Sequence, residues 1–264
     1  NKVPLKGAAI VCIDDPVIAA LLPKITCRLI TYGFSEKAQI RASHYEQKSL
    51  MSCFQLRIND ANPVPVSLSL SGRHNVQNAL AAIAVAVELG ASLNSVSESL
   101  QNFFGVERRF CCHGDINIAR GKAMLVEDYG HHPSEIKVTI DAARLTWPGK
   151  RIVLVFQPHR YTRTRDAFED FVKVLCKVDV LLLTEVYAAG ESPIVAADSK
   201  SLIRAVRVNG KLEPKFVETV DALAPAIHDV VQDGDVVLVM GAGSVGSVAP
   251  NVVQNRKRLK LISS

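Results

Sequence analysis

The 264-residue chain has no apolar run near the roughly 20 residues needed to span a bilayer, so no membrane insertion is expected. Its opening stretch, Asn1 to Gly7, has no apolar signal-peptide core. No internal repeat and no low-complexity segment occurs. Aromatics are few, one Trp, five Tyr and nine Phe, and they do not alternate with basic residues. A stacking platform for nucleic acid is therefore not expected. The formal net charge of +5 is mild, and part of it sits in Arg256, Lys257, Arg258 and Lys260, which read as a solvated helix end. None of the six cysteines forms a C-x-x-C pair, so a zinc site built on cysteine pairs has no support. Cys12 and Cys176 lie in apolar runs, as buried free thiols do, and a reducing, cytoplasmic compartment is expected.

What is present is enough apolar residue for a core, 48% of the chain, in a length that suggests two domains. Ala8–Ile13 and Arg28–Tyr32 read as strands, separated by a helix opening at Asp14, Asp15 and Pro16. Three further candidates, Ala38–Tyr45, Ser52–Ile58 and Val64–Leu70, are split by Asn/Asp/Pro turns in the manner of an antiparallel meander. A helix from His74 to Leu89 closes at Gly90, and another runs from about Leu93 to Phe103. Beyond Phe110, five strands alternate with helices: Ala123–Tyr129, Ile152–Gln157, Val178–Glu185, Lys215–Glu218 and Asp235–Met240. The helices begin near Pro133, Thr164, Ser199, Val220 and Val245. Near-continuous Val/Leu/Ile runs mean strands buried on both faces, hence a doubly wound, mostly parallel sheet. The expected class is α/β, with an ATPase-type domain over residues 1–107 and a Rossmann-like domain over 108–264. The hinge is expected near Gly105–Arg109.

Open parallel sheets bind ligands beyond the carboxyl ends of their strands, and the unusual residues fall there. Glu127-Asp128-Tyr129-Gly130-His131-His132-Pro133 follows one strand, Gln157-Pro158-His159-Arg160-Tyr161-Thr162-Arg163-Thr164-Arg165 the next, and Glu185-Val186-Tyr187-Ala188-Ala189-Gly190-Glu191 a third. Arg160, Arg163 and Arg165 are read at a helix start, where each cation is disfavoured by up to about 1 kcal/mol. Pairing with Asp166, Glu169 and Asp170 would explain them, and so would an anion site; the second reading is preferred. Adjacent His131 and His132 cannot both face one ligand. A metal held by His131, His159 and Asp128 is a secondary reading without a spacing signature.

Gly72-Arg73-His74-Asn75-Val76-Gln77-Asn78 opens the long helix, with Asn75 a candidate cap. His74, Asn75 and Asn78 share one face by their spacing, and Asn presents the donor–acceptor pair that adenine demands. Gly241-Ala242-Gly243-Ser244-Val245-Gly246 has the form of a dinucleotide fingerprint, but on the last strand and with no acidic residue after it. Tight strand–helix packing is the preferred reading.

Taken together, these segments resemble the Mur ligases over essentially the whole chain. Most diagnostic are Asp128-Tyr129-Gly130-His131-His132-Pro133 and Gln157-Pro158-His159-Arg160-Tyr161-Thr162-Arg163-Thr164, supported by Gly72–Asn78, Val106–Phe110 and Gly241–Gly243. The pattern is most like the branch that joins L-alanine to UDP-N-acetylmuramate with ATP and magnesium, through an acyl phosphate, for peptidoglycan synthesis. The resemblance implies that His74, Asn75 and Asn78 hold adenine, and that Arg108 and Asp128 reach the nucleotide's phosphate or ribose. It implies that Tyr129, His131, His159, Arg160 and Arg163 bind the amino acid, with His131, His159 and Arg160 as catalytic groups. No G-x-x-x-x-G-K-[ST] occurs, however, although the family carries such a loop with its magnesium ligands. The chain is therefore expected to be a piece of a longer protein, inactive alone and prone to self-association. A nicotinamide oxidoreductase and a non-catalytic nucleotide-binding domain are the rival readings.

Overall fold

The computed structural model describes residues 3–4, 7–118, 121–210 and 212–253, so the basic tail lies outside the described residues. The chain forms two compact units, Asn1–Phe104 and Gly105–Ser264.

The first unit is a five-stranded sheet in the order β1 (Ala8–Cys12), β2 (Arg28–Gly33), β3 (Ile40–Lys48), β4 (Met51–Ile58) and β5 (Val64–Leu68). The first three strands pair in parallel and the last three form the expected antiparallel meander. Asp15 caps α1 (Pro16–Leu21) by accepting from Val17 N at 2.8 Å and Ile18 N at 3.0 Å. Against one face lies α2 (Arg73–Glu88), followed by α3 (Leu93–Gln101). The buried residues of α2 are Val76, Ala79, Leu80, Ile83 and Ala84, the stripe that a 3.6-residue period lays along one side. They meet the alternate positions Ile40, Ala42, Phe54, Leu56, Val66 and Leu68 of the sheet. Gly90, at φ +83°, ends α2 in the left-handed conformation that its missing Cβ permits.

The second unit holds six strands among the described residues, where the sequence pattern predicts five. In chain order they are β6 (Cys111–Ile118), β7 (Gly121–Asp128), β8 (Ile152–Phe156), β9 (Val180–Thr184), β10 (Lys215–Val217) and β11 (Val236–Met240). Their spatial order is β10-β9-β8-β11-β7-β6. The five expected strands are parallel, and β6 is the additional one, antiparallel to β7 at the edge. A bulge between Cys112 and Gly114 shifts its register and leaves Cys111–Gly114 without the apolar alternation that marks a strand, which begins only at Asp115-Ile116. The helices are α4 (Pro133–Thr146), α5 (Tyr161–Asp166), α6 (Phe168–Leu175), α7 (Ser199–Asn209) and α8 (Leu223–Val230). On β8, Ile152, Leu154 and Phe156 enter one core layer while Val153 and Val155 enter the other. That is the two-faced burial read from the uninterrupted apolar runs.

Candidate active site

In the second unit β11 lies between β7 and β8, so the loops leaving β7 and β8 approach each other across the end of β11. There the rings of His131 and His159 come within 5.5 Å, Tyr129 sets its edge against His131 at 5.4 Å, and Tyr187 stacks on His159 at 5.3 Å. A backbone bridge fixes that stack, with Arg160 N donating to Tyr187 O and Tyr187 N to Pro158 O, both at 2.9 Å. The motifs alone do not single out Tyr187. The signal available is its place in the third loop, at the same level beyond the sheet as His159.

The histidine pair resolves as its geometry requires. Glu135 on α4 accepts from both backbone amides, His131 N at 2.9 Å and His132 N at 3.0 Å, and so fixes the turn. His131 turns inward, its Nδ1 donating to Tyr129 O at 3.1 Å, while exposed His132 pairs with Ser134 Oγ at 2.9 Å. A carbonyl only accepts, so His131 carries its proton on Nδ1. His159 is the opposite tautomer, because Arg163 donates to its Nδ1 at 3.2 Å and to its carbonyl at 2.9 Å. Burial, helped by His131, Arg163 and Arg160 nearby, lowers the pKa of His159 below the ordinary histidine value, leaving a neutral ring at pH 7.

The arginine cluster differs from its sequence reading. The helix begins at Tyr161, three residues earlier than Thr164, and breaks at Ala167, so Arg163 and Arg165 lie in the last turn of α5. Cations are favoured at that end, so the macrodipole argument fails for Arg165 and is balanced for Arg163, which is also the third residue of this six-residue helix, while Arg160 at the N-cap keeps it. Arg165 is exposed and bonds Asp166 at 2.8 Å, the acidic pairing that competes with an anion site, and this removes it from the candidate cluster. Arg160 caps α5 with φ +72°, and among the described residues its guanidinium makes no hydrogen bond or ion pair. Glu191 holds the helix start from the third loop, accepting from Thr162 N at 3.0 Å and Thr162 Oγ1 at 2.6 Å.

Asp128 is 7% exposed and accepts from Phe110 N at 2.8 Å and Gly130 N at 2.6 Å. Arg108 donates from Nε to Glu127 at 2.8 Å and from Nη2 to Gly241 O at 2.7 Å, with its guanidinium 5.0 Å from the Tyr129 ring centroid. Among the described residues no three of His, Cys, Asp and Glu gather as a metal set, so the His131–His159–Asp128 metal reading is not formed. No residue here is assigned to magnesium.

The glycines after β11 serve close packing. A Cβ at Gly243 would fall 2.6 Å from Tyr187 Cγ, and one at Gly246 would fall 2.6 Å from Arg108 Cζ. The amide of Val245 is taken by Gln157 Oε1 at 3.0 Å. Protein groups thus fill the space a pyrophosphate would need, against the nicotinamide reading. Gly243→Val should therefore push Tyr187 off His159 and destabilise the protein by about 1–3 kcal/mol. Urea unfolding monitored on the full-length protein checks this, and an unchanged midpoint would contradict the packing account.

In the first unit, the expected cap by Asn75 is not made. Gly72, at φ +97°, occupies the N-cap position of α2, and Asn75 Nδ2 donates to Ser71 O at 2.8 Å. His74 and Asn75 are half-buried and Asn78 is exposed, one face of the helix start. Beside them Asp14, which the sequence marks only as part of an acidic helix opening, accepts from Phe34 N and Ser35 N at 2.9 Å and from Gln77 Nε2 at 2.8 Å. Burial raises its pKa, but these donors and Arg73 outweigh that and hold it below the ordinary carboxylate value.

The family model described as "Mur ligase, glutamate ligase domain" matches residues 108–243, and that described as "Mur ligase middle domain" matches residues 1–86. The UDP-N-acetylmuramate–L-alanine ligase of Nitrosomonas eutropha is 51% identical over all of this chain and 57% of its own length. That of Methylobacillus flagellatus is 56% identical over 94% of this chain and 53% of its own. Among solved structures, the UDP-N-acetylmuramate-alanine ligase of Thermotoga maritima superposes with a TM-score of 0.73 at 27% identity, covering 94% of this chain and 51% of that one. The chain thus spans little more than half the length of the relatives it matches.

Proposed function

The chain belongs to the Mur ligase family, and from that premise we propose that it supplies the nucleotide and amino-acid sites of a ligase joining L-alanine to UDP-N-acetylmuramate. In the proposed reaction ATP phosphorylates the lactyl carboxylate of UDP-N-acetylmuramate to an acyl phosphate. The L-alanine amine attacks that carbonyl, and phosphate leaves from the tetrahedral intermediate. The observation that carries the amino-acid half is the cluster of rings beyond the end of β11. There Tyr129, His131, His159 and Tyr187 gather, with the charge of Arg160 felt by both His159 and Glu191. An arginine fork suits a carboxylate, and the Nε2 of His131, left as an acceptor while Nδ1 donates to Tyr129 O, can take a proton from an ammonium that must become an amine. His131 is assigned the proton-handling work and His159, with Nδ1 taken by Arg163 and a proton on Nε2, a positioning role as a donor, with Arg160 and Arg163 on the carboxylate.

Arg108 and Asp128 are assigned to the nucleotide. Both are committed to partners within the chain, so a contact to phosphate or ribose must share or exchange those bonds. Six free cysteines support a cytoplasmic location, with ATP as phosphoryl donor and magnesium held by sequence other than these residues. Among the described residues no helix is long and apolar enough to cross a membrane.

The adenine assignment has its own test. Asn78→Ala in the full-length protein should raise KM for ATP by the equivalent of about 1–3 kcal/mol, as for the loss of an adenine-reading amide. KM for L-alanine should stay nearly constant. Steady-state kinetics with each substrate varied in turn gives the answer; a shift confined to L-alanine overturns the assignment.

A further inference from the structure

We propose that His113 is a positioning residue that acts through Glu127 to hold Arg108 in its working orientation. This role rests on the ligase reading and adds to it a group outside every motif. Glu127 is 5% exposed, a carboxylate nearly removed from water, and its two oxygens face two different cations or donors. Oε1 accepts from Arg108 Nε at 2.8 Å and Oε2 from His113 Nε2 at 3.1 Å. A buried carboxylate left with one oxygen unpaired is costly, so each partner fixes the rotation of the other's acceptor.

The backbone is arranged around this relay. The pairing of β6 with β7 runs Cys111 to Glu127 and Cys112 to Val126, then skips to Gly114 opposite Leu125. His113 is thus the extra residue of the bulge, with no cross-strand partner, and Gly114 at φ +82° makes the bend. In the bulge His113 stays on the same edge as Glu127, and its ring reaches the carboxylate at 3.1 Å. At the other end, Arg108 adopts φ +60°, a left-handed conformation that a side chain with a Cβ resists. Its guanidinium is held between Glu127 and Gly241 O, over the Tyr129 ring, and against Gly246, where no Cβ could fit. A continuous series of direct contacts therefore runs from His113 at the sheet edge to Tyr129 in the candidate site.

The test uses the full-length protein, first shown to ligate L-alanine so that failure of the ligase reading is seen separately. His113→Ala should raise KM for ATP about 3- to 10-fold, the scale of one net hydrogen bond. KM for L-alanine should change less than twofold. His113→Gln, whose amide can still donate to Glu127, should restore most of the ATP affinity. Thermal unfolding of each variant identifies simple destabilisation. Two outcomes overturn the proposal: a folded His113→Ala protein with unchanged constants, or a Gln variant no better than Ala.

Discussion

Residues 1–264 on their own should release no phosphate from ATP, even with UDP-N-acetylmuramate, L-alanine and magnesium present. The sequence contains no G-x-x-x-x-G-K-[ST], the loop whose backbone amides cradle the phosphates and whose lysine reaches the β- and γ-phosphates. The candidate adenine face on α2 can grip one end of the nucleotide, but grip at that end does not align the γ-phosphate for in-line transfer. Effective molarities for well-aligned groups reach about 10⁵–10⁸ M, and that whole advantage is lost when the reacting end is unheld. The loss should be complete within detection. The same preparation should associate as its concentration rises, because β1 ends the sheet with Ala8–Cys12 only half-buried and, among the described residues, one edge without a partner strand. A coupled phosphate-release assay on the purified chain is decisive. Turnover near that of the full-length protein would show that a working phosphate site lies within these residues, and the assignment of that site to other sequence would be wrong.

Most of the architecture was legible because burial imposes a period. β8 and β11 are buried at every position, and an uninterrupted Val/Leu run of five residues between helical stretches is too short for a helix and too apolar for a loop. β6 was missed because the bulge at His113 leaves its Cys111–Gly114 half without alternation, and the alternating Asp115-Ile116-Asn117-Ile118 stretch is only four residues long, although the pairing with β7 is continuous on either side. The division between α5 and α6 was hidden for a different reason. Thr162 to Ala167 contains neither glycine nor proline, and the break at Ala167 carries no local marker. The loops of the site were found by a rule about strand ends, but their mutual contacts depend on strand order. That β11 separates β7 from β8, bringing His131 to His159, is a tertiary fact that spacing along the chain does not encode. The choice of His131 over His132 follows likewise from Glu135 on α4, which fixes the turn from outside the motif.

Replacing Arg160 or Arg163 by Ala in the full-length protein should lower kcat/KM for L-alanine by about 2–4 kcal/mol, the range for truncating one partner of a charge pair that the bound substrate buries, since without substrate Arg160 is exposed and Arg163 half-buried. That is about 30- to 1,000-fold in rate. The two residues lose it differently. Arg163 lies in the last turn of α5 and donates to both Nδ1 and the carbonyl of His159, so its removal also releases the tautomer that keeps Nε2 protonated. Arg160 has no such internal commitment; its backbone sits at φ +72° and its side chain has no hydrogen-bonded partner among the described residues. A left-handed arginine costs about 1–3 kcal/mol of strain, retained here for a guanidinium that makes no hydrogen bond among the described residues and interacts with Glu191 only through its charge. Arg160→Gly separates strain from chemistry, because glycine accepts that φ freely and should fold at least as stably as the parent. Activity toward L-alanine should nevertheless fall as far in the Gly variant as in the Ala variant. Lysine at either position should recover only part of the loss, since it brings a point charge without the planar fork that matches a carboxylate. Steady-state kinetics with L-alanine varied, alongside thermal unfolding of each variant, reads both effects. Full activity in Arg160→Gly, or full rescue by lysine at both positions, would remove the carboxylate from this arginine pair.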